Sequence, residues 1–166
     1  MVIQAREIHD TVQKVKVITA PDERDICKTL KTTYRLHNVL TMQKAQKQNA
    51  QDGLFTYNSM LIESTYANIY ALTENGTIIT PPIAGKGLNG ISRQTLMKQL
   101  SIQEQEIPEN TRHPLVLVSS LSIRSVETVN TKQIAYSQIF VDKIKKAVEN
   151  AENEYIRLSS PTSSMA

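Results

Sequence analysis

The sequence predicts an α+β fold, with strands and helices mixed but without the regular strand–helix alternation of a doubly wound parallel sheet. Three observations carry this expectation. Short β-branched and apolar runs are bounded by Asn, Gly and Pro, as strands are. Two long stretches instead space their apolar residues for a helix. Three of the strand-like runs follow one another directly, so no βαβ rhythm develops.

Val15-Lys16-Val17-Ile18-Thr19 is short and β-branched and runs into Ala20-Pro21-Asp22, so it reads as a strand ending in a turn. A helix is expected over Tyr34 to Lys47, with Leu36, Val39 and Leu40 on one face and Gln43, Lys44, Gln46 and Lys47 on the other. It should fade between Asn49 and Gly53. Strands are expected over Leu54–Tyr57, Asn68–Leu72 and Thr77–Thr80, the last two joined by Glu74-Asn75-Gly76, a hairpin signal. Pro81-Pro82 stops the third, and Gly85, Gly87 and Gly90 mark an irregular loop. Ser92 is placed to cap a short helix over Arg93 to Leu100. Leu115-Val116-Leu117-Val118 is continuously apolar and suits a strand buried on both faces. From about Ser137 to Leu158, Phe140, Ile144, Ala147, Val148, Ala151, Tyr155 and Leu158 recur at helical spacing, which predicts one amphipathic helix. The expected organisation is one domain over 1–158 and a polar, disordered tail over 159–166.

A chain of 166 residues has room for one domain with its own core. Its 40% hydrophobic and 21% charged content is that of an ordinary globular protein, and no apolar run is long enough to span a membrane. Met1 to Asp10 mixes charges of both signs with short apolar steps, unlike a secretory signal. Cys27 is the only cysteine, so no internal disulfide is possible and a cytoplasmic setting is expected. The net charge of +3 is mild, and its densest group, Lys143, Lys145 and Lys146, reads as a solvated helix face rather than a nucleic-acid surface. His9, His37 and His113 are widely spaced without a Cys–His cluster, so no metal site is expected. The chain has no Gly-x-Ser-x-Gly elbow, no Walker loop and no Gly-x-Gly-x-x-Gly fingerprint.

Four segments remain, and their order matters. They are Lys31-Thr-Thr-Tyr-Arg-Leu-His-Asn-Val-Leu40, Leu61-Ile-Glu-Ser-Thr-Tyr-Ala-Asn-Ile-Tyr70, Thr80-Pro-Pro with Leu88-Asn-Gly-Ile-Ser-Arg93, and Val118-Ser-Ser-Leu-Ser-Ile-Arg124. Each alone is weak. Together, from about Val15 to Val126, the series resembles the class IV aminotransferases, which include branched-chain and D-amino-acid aminotransferases and aminodeoxychorismate lyases.

The resemblance implies the C-terminal domain of that family, a mixed, barrel-like sheet with flanking helices, and pyridoxal 5'-phosphate as cofactor. Lys31 stands where the family's lysine forms the Schiff base and moves the proton at the substrate α-carbon. That task needs an amine neutral often enough to react, which partial desolvation and a cationic neighbour favour. Glu63 stands where a glutamate pairs with the pyridine nitrogen, with Asn68 five residues on completing the motif. Gly90, Ile91 and Ser92 match the turn that grips the phosphate at a helix N-terminus. Ser119 or Ser120 matches a second phosphate hydroxyl, and strand register decides between them. Tyr66 replaces a small residue and is expected to narrow the substrate pocket.

Two departures accompany the match. Thirty residues precede Lys31, so the family's N-terminal α/β domain, with its phosphate-binding arginine, is expected to be missing from this chain. Arg124-Ser125 also stands where Arg-Pro is common. The implied activity is transamination of an amino-acid-like substrate or elimination of pyruvate from an aminodeoxychorismate-like one. The lysine segment leans toward the lyase and D-amino-acid branch. The implied assembly is a homodimer, with neither nucleic acid nor membrane as partner. The alternative is a non-catalytic cofactor-binding or dimerisation domain.

Overall fold

The computed structural model describes residues 12–24, 26–84 and 86–159. The expectations for Met1 to Asp10, for Gly85 and for the tail beyond Ser159 lie outside these residues. Strand β1 (Gln13–Pro21) leads through a single 3-10 turn at Ile26–Thr29 to helix α1 (Leu36–Lys47). Strands β2 (Asp52–Tyr57), β3 (Met60–Ser64), β4 (Asn68–Leu72) and β5 (Ile78–Thr80) precede α2 (Ile91–Gln99). Then come β6 (Ile102–Glu104), β7 (Ile107–Pro108), β8 (Leu115–Ser119), β9 (Ser122–Val129), β10 (Lys132–Gln133) and α3 (Gln138–Ser159).

Six of the strands close into a barrel in the order β4, β8, β9, β1, β2, β3 and back to β4. β1 is parallel to both its neighbours, while every other pairing in the ring is antiparallel. Closure removes the open edges that a flat sheet exposes. It is made through one register pair, Glu63 opposite Asn68. β5 and β6 extend from β4, β7 pairs with β3, and β10 with β9.

Side chains alternate across each strand. Val15, Val17, Leu54, Leu61, Ile69, Leu115, Leu117 and Val126 fill the interior. Tyr70, Val116 and Val118 face outward from β4 and β8 and are covered by Leu96 of α2 and by Phe140, Val141 and Ile144 of α3. β8 is thus buried on both faces, as its unbroken apolar run predicts. α3 meets its expectation over Phe140, Ile144 and Ala147, but Tyr155 near its far end is 73% exposed.

α1 packs differently from the expectation. Leu36, Val39 and Leu40 are all exposed, and the buried side is marked by Thr41 and Ala45, the latter against Ile18 of β1. The reason is distance: a Cβ built on Gly53 of β2 would lie 2.3 Å from the Thr41 methyl, so only small residues fit between helix and sheet. Further differences concern boundaries and strands, since β6, β7, β9 and β10 lie outside the sequence expectation. β1 continues through Pro21. β3, absent from the sequence expectation, is joined to β2 by Asn58 and Ser59 with φ of 49° and 59°, a two-residue turn of type I′ character. α2 begins at Ile91 with Gly90 as its N-cap, so Ser92 lies inside the first turn and does not cap it. Among the described residues no helix is long and apolar enough to cross a membrane, and no group of His, Cys, Asp or Glu is arranged to hold a metal ion.

Candidate active site

The strand ends on either side of the Glu63–Asn68 closure, the segment entering α1 and the first turn of α2 surround one cavity of about 270 Å³. Lys31, Glu63, Asn68, Gly90, Ile91, Ser92, Ser119 and Ser120 all line it. Residues spread over some ninety positions of sequence therefore meet because β3, β4 and β8 end at the same rim of the barrel.

Glu63 is the most constrained of them. Its Oε1 accepts a hydrogen bond from Arg24 Nη1 at 2.7 Å, and its Oε2 accepts the Leu88 N–H at 3.1 Å. Arg24 is shared: its Nε donates to Asp22 Oδ1 at 2.8 Å, and Lys28 Nζ stands 3.7 Å from Asp22 Oδ2. The guanidinium also lies over the Phe55 ring, 3.9 Å from its centroid. Burial pushes the Glu63 carboxyl above its ordinary value, because an arginine divided between two carboxylates offsets only part of the lost solvation. Burial alone would lower Arg24, but its bonds and charges with Asp22 and Glu63 outweigh that and leave it raised.

Asn68 turns its amide toward the loop after β5, donating from Nδ2 to the Leu88 carbonyl at 2.9 Å. A Cβ on Gly90 would stand 2.5 Å from Asn68 Oδ1, so glycine is required by this close approach of side chain to backbone. The first turn of α2 presents N–H groups that lack acceptors within the helix, and no side chain caps them. Ser119 Oγ is engaged in its own turn, 3.2 Å from Ser122 Oγ and accepting the Leu121 N–H at 3.2 Å. Ser120 is exposed at the cavity, with no such bond among the described residues. Lys31 lines the same cavity but is itself exposed, so the desolvation expected around it is not supplied by the described residues of this chain.

The turn between β3 and β4 forms another part of the wall. Ser64 N–H donates to the Ala67 carbonyl at 2.8 Å, and Ser64 Oγ accepts the Ala67 N–H at 2.9 Å. Thr65 is held from below by the fully buried Asp52, whose Oδ1 accepts the Thr65 hydroxyl at 2.5 Å and whose Oδ2 accepts from Arg124 Nη2 at 2.7 Å. The Thr65 carbonyl accepts from Asn38 Nδ2 at 2.7 Å and from Arg35 Nη2 at 3.3 Å. Tyr66 faces the cavity with the Arg35 guanidinium over its ring, 4.5 Å from the centroid.

Sequence reasoning missed Arg24, Asp22, Asp52 and the partner role of Arg124. Arg24 and Asp22 sit in a charged stretch with no periodic signal, and only the barrel brings them to Glu63. Asp52 carried a hint, since an acidic residue opening an apolar strand must find a partner once buried.

Comparison with known proteins gives a consistent answer. The family model described as amino-transferase class IV matches residues 2–126. A D-alanine aminotransferase of Bacillus licheniformis is 35% identical over 91 residues, covering 55% of this chain and 31% of that protein. A D-alanine aminotransferase of Staphylococcus haemolyticus is 25% identical over 166 residues, covering 93% of this chain and 57% of that protein. The chain thus spans about half the length, or less, of these curated relatives. Among solved structures, a Legionella pneumophila protein assigned as a 4-amino-4-deoxychorismate lyase superposes with a TM-score of 0.75 at 24% identity, over 85% of this chain and 58% of that one. The mixed, barrel-like sheet with three flanking helices is the fold they share.

Proposed function

Because the chain belongs to the class IV aminotransferase family, we propose that its rim cavity is the pyridoxal 5'-phosphate site of an enzyme, or enzyme domain, acting on an amino-acid-like substrate. One observation carries this reading. An exposed amine with no ion-pair partner among the described residues, a buried carboxylate and an uncapped helix start, from Lys31, Glu63 and Ile91–Ser92, line a single cavity. These groups fit the cofactor's aldehyde, ring nitrogen and phosphate in turn.

When bound, the cofactor supplies an electron sink beside the substrate α-carbon. The chain's own residues do the rest. Lys31 would hold the cofactor through its amine and, once released, carry the proton to and from the α-carbon. Glu63 would keep a proton on the ring nitrogen, and Arg24 and the Leu88 N–H would hold the carboxylate in place for that task. The Ile91 and Ser92 N–H groups, with the hydroxyls of Ser92 and Ser120, would bind the phosphate, which a helix N-terminus favours electrostatically. Ser119 would shape the turn that presents Ser120. Asn68 and Gly90 would keep that wall in register.

The D-alanine aminotransferase relatives support amino-group transfer. Pyruvate elimination from an aminodeoxychorismate-like substrate is the second reading, because it begins with the same proton abstraction. The domain proposed for this role is 1–158. A homodimer is the proposed assembly, supported by the exposed apolar residues Leu30, Tyr34, Leu36 and Leu40 beside the cavity and along α1.

The test is cofactor uptake. Protein mixed with pyridoxal phosphate should turn yellow, become irreversibly labelled on borohydride reduction, and carry the label on the Lys31 peptide. Lys31→Ala should abolish both. A protein that stays colourless, or a label scattered over other lysines, would overturn the reading and favour a non-catalytic role.

A further inference from the structure

One enclosed carboxylate behind the cavity has no part in the chemistry above. Asp22 follows β1 directly, its side chain is fully enclosed, and it does not line the cavity. Its oxygens accept the Arg24 Nε–H at 2.8 Å and an Nη2–H at 3.2 Å, and Oδ1 also accepts the Arg24 backbone N–H at 3.1 Å. Glu63 accepts one Nη1–H at 2.7 Å. Asp22 therefore holds one edge of the guanidinium through two side-chain donors, and Glu63 meets it through one. Lys28 Nζ also stands 3.7 Å from Asp22 Oδ2. Lys28, Asp22, Arg24 and Glu63 thus alternate in sign, with side chains no more than 18% exposed.

Charges enclosed in this way act on one another with little screening, so the division of Arg24 matters to Glu63. An arginine committed wholly to Glu63 would form a neutral pair, with no net charge left for a cation in the cavity. With Asp22 engaged, the trio of Asp22, Arg24 and Glu63 carries one net negative charge, and Glu63 is the acid of the trio that lines the cavity. Burial raises the Glu63 carboxyl, and repulsion from Asp22 adds to that against the pull of Arg24. The other titratable groups at the cavity are Lys31, Tyr34, Arg35 and His37, on the segment entering α1 and its first turn, and Tyr66. β4, β8 and the loop before α2 line it with groups that do not titrate.

We propose that Asp22 is a positioning residue: by holding Arg24 it leaves Glu63 its negative charge, so that the site favours a protonated ring nitrogen on the cofactor. This rests on the cofactor reading above and extends it to a residue behind the cavity wall. Lys28 opposes Asp22, because whatever hold Lys28 takes on Asp22 is lost to Arg24 and returns Arg24 to Glu63. An arginine can then stand against Glu63 and fix its position without cancelling its charge.

The experiment reads Glu63 first without cofactor. The full chain, with glutamate carboxyl groups labelled with carbon-13, is titrated by NMR, and the Glu63 signal is identified by its loss in Glu63→Gln. Asp22→Asn should lower the Glu63 midpoint, because Arg24 then serves Glu63 alone. Lys28→Met should raise it, because Asp22 then holds Arg24 more firmly. A general loosening of the site would admit water and lower both, so opposite signs are the mark of a charge balance. An unmoved or raised midpoint in Asp22→Asn, or an unmoved or lowered one in Lys28→Met, would overturn the proposal. Lys28→Met, at a partly exposed position, decides alone if Asp22→Asn does not fold. The same proteins are then given pyridoxal phosphate labelled with nitrogen-15 in its ring, whose signal should show the ring proton lost at lower pH in Asp22→Asn than in the unmodified protein. A ring nitrogen indifferent to Asp22→Asn would overturn the purpose assigned to Asp22. Failure to take up the cofactor would overturn the cofactor reading and that purpose with it, while opposite shifts at Glu63 would still stand.

Discussion

At Glu63 two opposing effects meet in one side chain. The carboxyl is nearly enclosed, which favours its neutral form, while half of an arginine pulls toward the charged one, and the balance leaves it raised. The consequence for stability has a definite sign. A carboxyl that holds its proton more tightly folded than unfolded makes the folded state gain protons, so stability falls as pH rises from the ordinary glutamate value through the folded one. Glu63→Gln should remove that decline from the cofactor-free protein. Thermal unfolding across mildly acidic to neutral pH checks it, and identical slopes in the two proteins would refute the assignment of burial as the dominant effect.

Between elements, the decisive contact is the seat of α1 on β2. Gly53 and Thr41 meet so closely that a single added methyl has no room, and Ala45 continues the contact with no side chain to spare. Gly53→Ala should therefore cost about 1–3 kcal/mol through overpacking. Thr41→Ala removes the opposing methyl, so the double variant should recover much of that loss. Denaturant unfolding of the two single variants and the double variant measures the coupling, which vanishes if the residues are independent. This contact also explains why α1 was legible as a helix but not in its orientation. Its apolar residues mark a face, yet the sheet selects the face with the smallest side chains. β3 was illegible for a related reason: its turn uses Asn58 and Ser59 rather than Asn-Gly, and Glu63 and Ser64, which line the cavity, break the apolar pattern.

Across the whole molecule, Asp52 joins parts that the chain keeps far apart. It is fully buried, pairs with Arg124 from β9, and holds the Thr65 turn that forms part of the cavity wall. Asp52→Ala would strand the arginine and free the turn at once. The expected loss is about 3–5 kcal/mol of stability, as when one partner of a buried pair is removed. Any folded remainder should take up pyridoxal phosphate more weakly than the unmodified protein, and absorbance titration beside unfolding measures both. Unchanged cofactor affinity in a destabilised Asp52→Ala protein would show that the turn does not depend on this anchor.

By itself the sequence determined the element types over most of the chain, the buried strand Leu115–Val118 and the long helix α3, while its resemblance to the family named the residues that line the cavity. Those follow from local periodicity, turn chemistry and ordered motifs, all of which are written in neighbouring positions. Only the tertiary structure decided that the sheet closes at Glu63 and Asn68, that Asp22 and Glu63 share Arg24, that α1 turns its small residues inward, and that Ser119 Oγ, unlike Ser120 Oγ, is bonded among the described residues. Each of these depends on which distant groups arrive within bonding range, and a charge or a methyl carries no local mark of the partner it will meet once buried.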